Sequence, residues 1–322
     1  MPEKNKDIVE RNLIGYPDVF ASIVNAFFKI NGCEKEAEKV KPEDLEDVRG
    51  WSFYKVSNKL REQERDSVKL WKKGELTICL IGIENQTGVD YDMPLRIFGY
   101  EGADYRNQLE NRKKEGKKKN KIHPVITIVL YYGIKKRWTA SKTLFEKLKL
   151  PDWLKPFVND CHVNVLELSW LTEEQEKFFC NDMRVVINYL RQIRENQNYV
   201  PEPIVLEHYQ AVLNWFQSFT NDRRFEKAVL TAMNMETRGE KIMLPSFLEI
   251  AEKRVRAEER AKLPGIRAEA EEKGRAEERA KLQGILAETE KKVRSERDVI
   301  RKRLLATGMS PEEVASIIDV NS

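Results

Sequence analysis

The sequence predicts an α/β sandwich, a mixed central sheet flanked by helices, with a charged helical extension at its C-terminal end. Three observations carry this reading. Residues 66–84 hold two strand-like runs joined by a turn signal. A long helical stretch then separates them from a continuous apolar run at residues 125–133. The order helix, hairpin, helix, buried strand, strand, helices is that of an α/β fold. Beyond residue 250 the composition changes to Ala, Glu, Lys and Arg.

Taken in order, residues 17–30 place Phe20, Ile23, Val24, Phe27 and Phe28 at helical spacing, and Asn31-Gly32 ends the helix. A loop and Trp51–Tyr54 follow. The run DSVKLWK at 66–72 alternates polar and apolar residues, as a half-buried strand does. Lys73-Gly74 is a turn signal, and ELTICLIGIE at 75–84 is apolar enough to be a central, buried strand. Residues 94–115 read as a helix with Pro94 in its first turn. VITIVLYYG after Pro124 is a second buried strand, VNVLEL at 163–168 a further one, and residues 172–196 are helical. Residues 201–245 read as helices with loops.

RAEERAKLPGIRAE at 256–269 recurs as RAEERAKLQGILAE at 275–288, a repeat of 19 residues. Pro264, Gly265, Gly274 and Gly284 are expected to interrupt it, and no strict heptad seam runs through it. A solvated helix is the expectation, and a candidate for self-association. The final segment, 299–322, reads as a helical hairpin closed at Gly308, with Ser310 and Glu313 as a capping box. The expected domains are therefore 1–215, a connector at 216–250, and the tail at 251–322.

Composition limits the function classes. Of 322 residues, 41% are hydrophobic and 34% charged, with a net charge of +4. So small a net charge makes any nucleic-acid argument a local one. Cys33, Cys79, Cys161 and Cys180 form no C-x-x-C pair, and Cys79 sits in an apolar run expected to be buried. That pattern fits a reduced, cytoplasmic protein without a disulfide frame or zinc knuckle. The opening residues are polar, and the longest apolar runs are too short to span a bilayer, so a soluble chain without membrane contact is expected.

Chemistry concentrates on the hairpin. Asp66 opens its first strand and Glu84 ends its second, so the fold brings both carboxylates to one end. Oxygen donors of this kind suit a hard cation such as Mg²⁺, and the backbone carbonyl of Asn85 can add a third ligand. A Glu at the end of LIGI is costly unless paired or metal-bound. Gln86 lies two residues on, hence on the same strand face as Glu84, and Gly82 leaves space beside the carboxylate. Arg96 and Tyr100, four apart, share a face of the next helix; Arg96 can pair with a carboxylate or grip a phosphate.

Asp66, IENQ at 83–86, Arg96 with Tyr100, and the strand PVITIVLYYG together resemble the YhgA-like transposase family. These recombination-promoting nucleases belong to the PD-(D/E)XK superfamily. The likeness spans about residues 15–200, and Gly308–Ala315 resembles the family's C-terminal segment. The resemblance implies a PD-(D/E)XK, restriction-endonuclease-like core that hydrolyses DNA phosphodiester bonds with Mg²⁺, or with another divalent cation such as Mn²⁺ or Ca²⁺, and promotes recombination or transposition. It makes Asp66, Glu84 and Gln86 the catalytic residues, with Asp66, Glu84 and the Asn85 carbonyl as metal ligands. Gln86 stands where the superfamily has lysine, so water activation falls mainly on the metal. An additional acid often comes from the N-terminal helix; here Asp18 and Asn25 are the candidates, and Ser22 occupies a position natural for an acid.

RKKEGKKKNK at 112–121 carries Lys113, Lys114, Lys117, Lys118, Lys119 and Lys121, a candidate contact to the DNA backbone that reads no sequence. Lys135–Arg137 and Trp138 can extend it. His123, His162 and His208 have no metal-ligand spacing, and structural or surface roles are expected. The main reading is a Mg²⁺-dependent DNA endonuclease with a tail that supports self-association. The alternatives are a non-catalytic DNA-binding relative of the same fold, or an oligomeric interaction protein dominated by the repeats.

Overall fold

A strand made almost wholly of apolar residues can only sit where both its faces are covered, and that fixes the centre of this molecule. The structure, a computed structural model, describes residues 11–35, 39–48, 51–56, 59–114, 121–195, 199–220 and 223–319. Residues 11–15 are helical and lead into helix α1 (Pro17–Ile30). The strands are β1 (Leu45–Asp47), β2 (Trp51–Val56), β3 (Lys59–Glu64), β4 (Ser67–Lys73) and β5 (Leu76–Gln86). Helix α2 (Met93–Lys114) connects β5 to β6 (Val125–Tyr131). After α3 (Leu144–Leu148) come β7 (Asn164–Glu167), α4 (Glu173–Glu176), α5 (Asn181–Arg194), α6 (Tyr209–Phe219), α7 (Arg223–Thr237), α8 (Leu244–Ala306) and α9 (Pro311–Asp319).

Five strands form one mixed sheet in the order β1-β4-β5-β6-β7, which puts β5 in the middle. β4 and β5 pair antiparallel, with Gly74 at φ 61° in the turn between them. That left-handed conformation is available to glycine at no steric cost. β5, β6 and β7 run parallel. β2 and β3 make a separate two-stranded ribbon. It and the short edge strand β1 lay beyond the sequence reading, which left this stretch as loop and an unassigned Trp51–Tyr54.

Alternation along β5 divides the sheet. Cys79, Ile81 and Ile83 join Ile128 and Leu130 of β6, and Tyr132 just beyond it, in the main core, packed with α1, α5 and α6. Leu80, Gly82, Glu84 and Gln86 point to the face that α2 covers. There Met93 and Ile97 pack on Val129 and Tyr131, while Leu80 packs with Val68 and Val125. Helices thus cover both faces, which is a mixed α/β sandwich as predicted.

Two compact units divide the chain, Met1–Val255 and Arg256–Ser322. Residues 216–250, read from sequence as a connector, contribute Phe216, Phe225, Ala228, Ala232, Leu244 and Leu248 to the same core as the sheet. The repeat region also differs from expectation. α8 is a single helix of 63 residues that runs through Pro264 and the glycines. Proline removes one backbone hydrogen bond, but Arg260, whose carbonyl loses its partner, is exposed, so water can satisfy it. Past α8, Gly308 at φ 92° turns the chain into α9, capped by Ser310 and Glu313. Among the described residues, no helix is long and apolar enough to cross a membrane.

Candidate functional site beneath helix α2

Ser67 pairs with Ile83 across the hairpin, so the next step along each strand brings Asp66 and Glu84 together at the end of the ladder. Glu84 is buried, with its side chain 1% exposed. Its pKa is pushed up to about 7, first by burial and then by the neighbouring Asp66 carboxylate, against the lowering influence of Arg65 and Arg96. Arg65 Nε donates to Glu84 Oε1 at 3.4 Å, and Arg96 Nη2 reaches Glu84 Oε2 at 3.5 Å. Both contacts are long, so neither oxygen is tightly held. Asp66 accepts from Arg11 Nε at 2.9 Å and from the Asn85 backbone N–H at 2.7 Å.

Arg65 organises the interior of this layer, and sequence reasoning passed over it. Its buried guanidinium pairs with Asp104 and donates to Thr127 Oγ1 at 2.8 Å. Thr127 in turn donates to Glu101 at 3.1 Å. Burial raises the pKa values of both Glu101 and Asp104. The guanidinium occupies the space above Gly82: a Cβ there would lie 1.6 Å from Arg65 Nη2. The gap that Gly82 leaves beside Glu84 is therefore filled by Arg65. Thr127 inside an otherwise apolar strand, and acids at 101 and 104 on the sheet-facing side of α2, were the signals available in the sequence.

Arg96 lies one-third exposed at the mouth of the layer. It donates to Asp90 Oδ2 at 2.6 Å and to the Tyr100 hydroxyl at 2.9 Å. Gln86 is half-buried, and its side chain makes no hydrogen bond among the described residues. The Asn85 side chain faces the opposite side of the sheet, where its amide oxygen accepts from the Tyr132 hydroxyl at 2.9 Å.

Other sequence candidates go elsewhere. Asp18 is drawn to His208, whose Nε2 lies 2.9 Å from each of its oxygens. Asp182 completes that group, the one set of three or more His, Cys, Asp or Glu side chains among the described residues close enough to share an ion. His208 was read as isolated; only the fold, by setting the starts of α1, α5 and α6 together, brings it to two acids 26 and 190 positions away. Asp182 caps the backbone N–H groups of Glu207 and His208, and His208 stacks on Tyr16. Helix N-termini favour anions, so this is where carboxylates steady three helix ends. Asn25 exchanges two hydrogen bonds with the Val40 backbone, and Ser22 accepts from Cys180 N–H. Their side chains are thereby committed to tying down loops. Trp138 is buried edge-on against Tyr131, not available to extend a basic surface. Lys113 and Lys121 are exposed, as are Lys135 and Lys136. Lys117, Lys118 and Lys119, and the side chain of Lys114, lie outside the described residues.

The fold and this layer define a mixed α/β protein that encloses a set of acids and arginines between a central strand and a helix. The chain belongs to a known family: a family model described as "Putative transposase, YhgA-like" matches residues 40–225, from just before β1 into α7. That match embraces Asp66, Glu84, Gln86 and all of α2. No curated protein and no solved structure matches the chain.

Proposed function

We propose that the protein is a divalent-metal-dependent DNA endonuclease on a PD-(D/E)XK-type core, acting in recombination or transposition. The observation that carries this is Glu84: a carboxyl buried at the end of the central strand, beside a second carboxyl, with its pKa raised to about 7. Enclosing a pair of acids costs stability, and such pairs gather at functional sites. Membership of a transposase family agrees with work on DNA.

The donor set fits a hard divalent cation. Counting Asp66, Glu84, Asp90, Glu101 and Asp104 against Arg11, Arg65 and Arg96, acids outnumber guanidiniums by two. Asp66, Glu84 and the Asn85 carbonyl would hold Mg²⁺, or Mn²⁺ or Ca²⁺. The bound ion would supply a more acidic water and charge neutralisation at the phosphate. The chain's own groups do the remainder. Arg96, partly exposed at the mouth, grips a phosphate oxygen. Tyr100 holds the Arg96 guanidinium in place. Gln86, with a free amide on the same strand face as Glu84, orients the attacking water by hydrogen bonding. Without a lysine's charge it does not itself acidify that water. Lys113 and Lys121, with the neighbouring lysines of 112–121, contact DNA phosphates without reading sequence.

Plasmid nicking tests this directly. Purified protein with Mg²⁺ nicks supercoiled DNA, and Asp66→Ala and Glu84→Ala each abolish it. Variants that cut as well as wild type place the site elsewhere. A second reading has its own support: each carboxylate already faces an arginine, Asp66 with Arg11 and Glu84 with Arg65 and Arg96. A fold that keeps those pairs binds DNA without cutting it. DNA retention without metal-dependent nicking, unchanged by Asp66→Ala, selects that reading.

A further inference from the structure

Part of the apolar surface of α8 lies in a pattern. Leu282, Leu286, Val293 and Ile300 are 55%, 58%, 44% and 50% exposed, and half-buried Leu304 continues the line, while Leu263, Ile285, Val299 and Leu305 are exposed outside it. With Thr289 and Arg297 the positions 282, 286, 289, 293, 297, 300 and 304 step by four, three and four, twice. That eleven-residue period, about 3.67 residues per turn, keeps a stripe on one side of a nearly straight helix. The stripe is about 34 Å long at the α-helical rise. One period upstream of Leu282 the same positions hold Glu271, Arg275 and Glu278, so the seam ends there.

We propose that residues 282–304 pair antiparallel with the same segment of a second copy of this chain. Charge decides both occupant and direction. Glu290 and Arg297 flank and interrupt the stripe, and neither forms an ion pair among the described residues. A parallel pair sets Arg297 against Arg297 across the seam. An antiparallel pair with its twofold axis at Val293 sets Leu286 opposite Ile300 and Leu282 opposite Leu304. Each Arg297 then meets Thr289 and Glu290 of the other copy. Val293, Thr289, Glu290 and Arg297 already line one shallow groove with Leu286 and Arg294. An isologous contact of this kind closes on itself and yields a dimer, not a fibre. The inference stands apart from the nuclease reading, since it uses no residue of that site.

The test uses the full chain with exposed Cys33 changed to Ser. Sedimentation equilibrium is expected to show a dimer that dissociates on dilution; a monomer at every concentration overturns the proposal. Mixing Leu286→Cys with Ile300→Cys chains is expected to give an oxidised cross-linked dimer, whereas Leu286→Cys alone gives none. A disulfide between two Leu286→Cys chains means a parallel pair and refutes the direction. Val293→Asp is expected to leave monomers with wild-type helicity; a persisting dimer counts against the seam. Should Val293→Asp lose helicity, the charge variants decide. Glu290→Arg removes two exposed ion pairs per dimer and is expected to raise the dissociation constant roughly fivefold. Adding Arg297→Glu should restore it, and a swap that restores nothing overturns the pairing.

Discussion

Gly82→Ala puts a methyl group where the Arg65 guanidinium lies. The added carbon would sit 1.6 Å from Nη2 and 2.2 Å from Cζ, inside any tolerable separation. Something must move, and the backbone of a central strand paired on both sides will not. Arg65 is a flexible side chain and can swing away, but only by leaving Asp104, Thr127 and Glu84. Breaking a buried ion pair costs about 3–5 kcal/mol because the abandoned charge stays desolvated. Glu84 softens the loss, since its raised pKa lets it take up a proton. The lower end, about 3 kcal/mol, is therefore expected, or a fall in melting temperature of roughly 6–12 °C for a unit of this size. Gly102→Ala is the contrast. It lies in α2 with nothing within 4 Å of its would-be Cβ, and should stabilise by up to about 1 kcal/mol. Thermal unfolding by circular dichroism reads both. The double variant Gly82→Ala with Arg65→Met should cost little more than either single change, because both remove the same cation. A stable Gly82→Ala protein, or two penalties that add in full, would refute Arg65 as the organiser of the layer.

Further outcomes follow from the same geometry. Glu84 holds its proton more tightly folded than unfolded, so its contribution to stability is complete below about pH 4.5 and lost as pH rises through about 7. For the metal-free protein that is about 3 kcal/mol, and urea titrations should show wild type losing stability over this range relative to Glu84→Gln; parallel profiles would show that Glu84 is not the group responsible. Replacing Lys113 and Lys121 with Ala should lessen the slope of log affinity for DNA against log salt by about 1.8 if both touch phosphates, with no change in sequence preference. An unchanged slope in filter binding would remove them from the interface. Gln86→Ala should lower the nicking rate while leaving unfolding free energy within about 0.5 kcal/mol of wild type, since its side chain makes no hydrogen bond among the described residues.

What the sequence made legible was local. Periodicity placed α1, the hairpin, α2 and β6 almost residue for residue, because each is a long segment with one dominant pattern. The carboxylate pair was legible for the same reason: a hairpin joins its own two ends. Arg65 was not, although it precedes Asp66 directly. Nothing local distinguishes a surface arginine at a strand start from one folded inward over a glycine; that depends on Gly82 in the partner strand, Thr127 in the next, and Asp104 on the covering helix. His208 escaped likewise, since its acids lie on other helices. α8 was misjudged differently. The sequence predicts a solvated helix, but one interrupted at Pro264 and the glycines; it runs on unbroken because an exposed helix can hydrate the carbonyl that a proline leaves without a partner.

The arginines around the two acids bear on how such a site could work. A carboxylate pair without cations would repel itself and push both groups toward protonation, leaving poor ligands at neutral pH. Arg65 and Arg96 oppose that rise at Glu84, and Arg11 lies on Asp66. Their contacts with Glu84, at 3.4 and 3.5 Å, are loose enough to yield. Arg65 is locked by Asp104 and Thr127, whereas Arg96 is partly exposed and tied chiefly to Asp90 and Tyr100. The two therefore divide the labour. Arg65 keeps the acid layer tolerable inside the fold, and in the proposed nuclease Arg96 would be the cation that turns from Glu84 to a phosphate. Arg65→Met should thus lower stability most, while Arg96→Met should lower it less and, on the nuclease reading, weaken DNA cleavage.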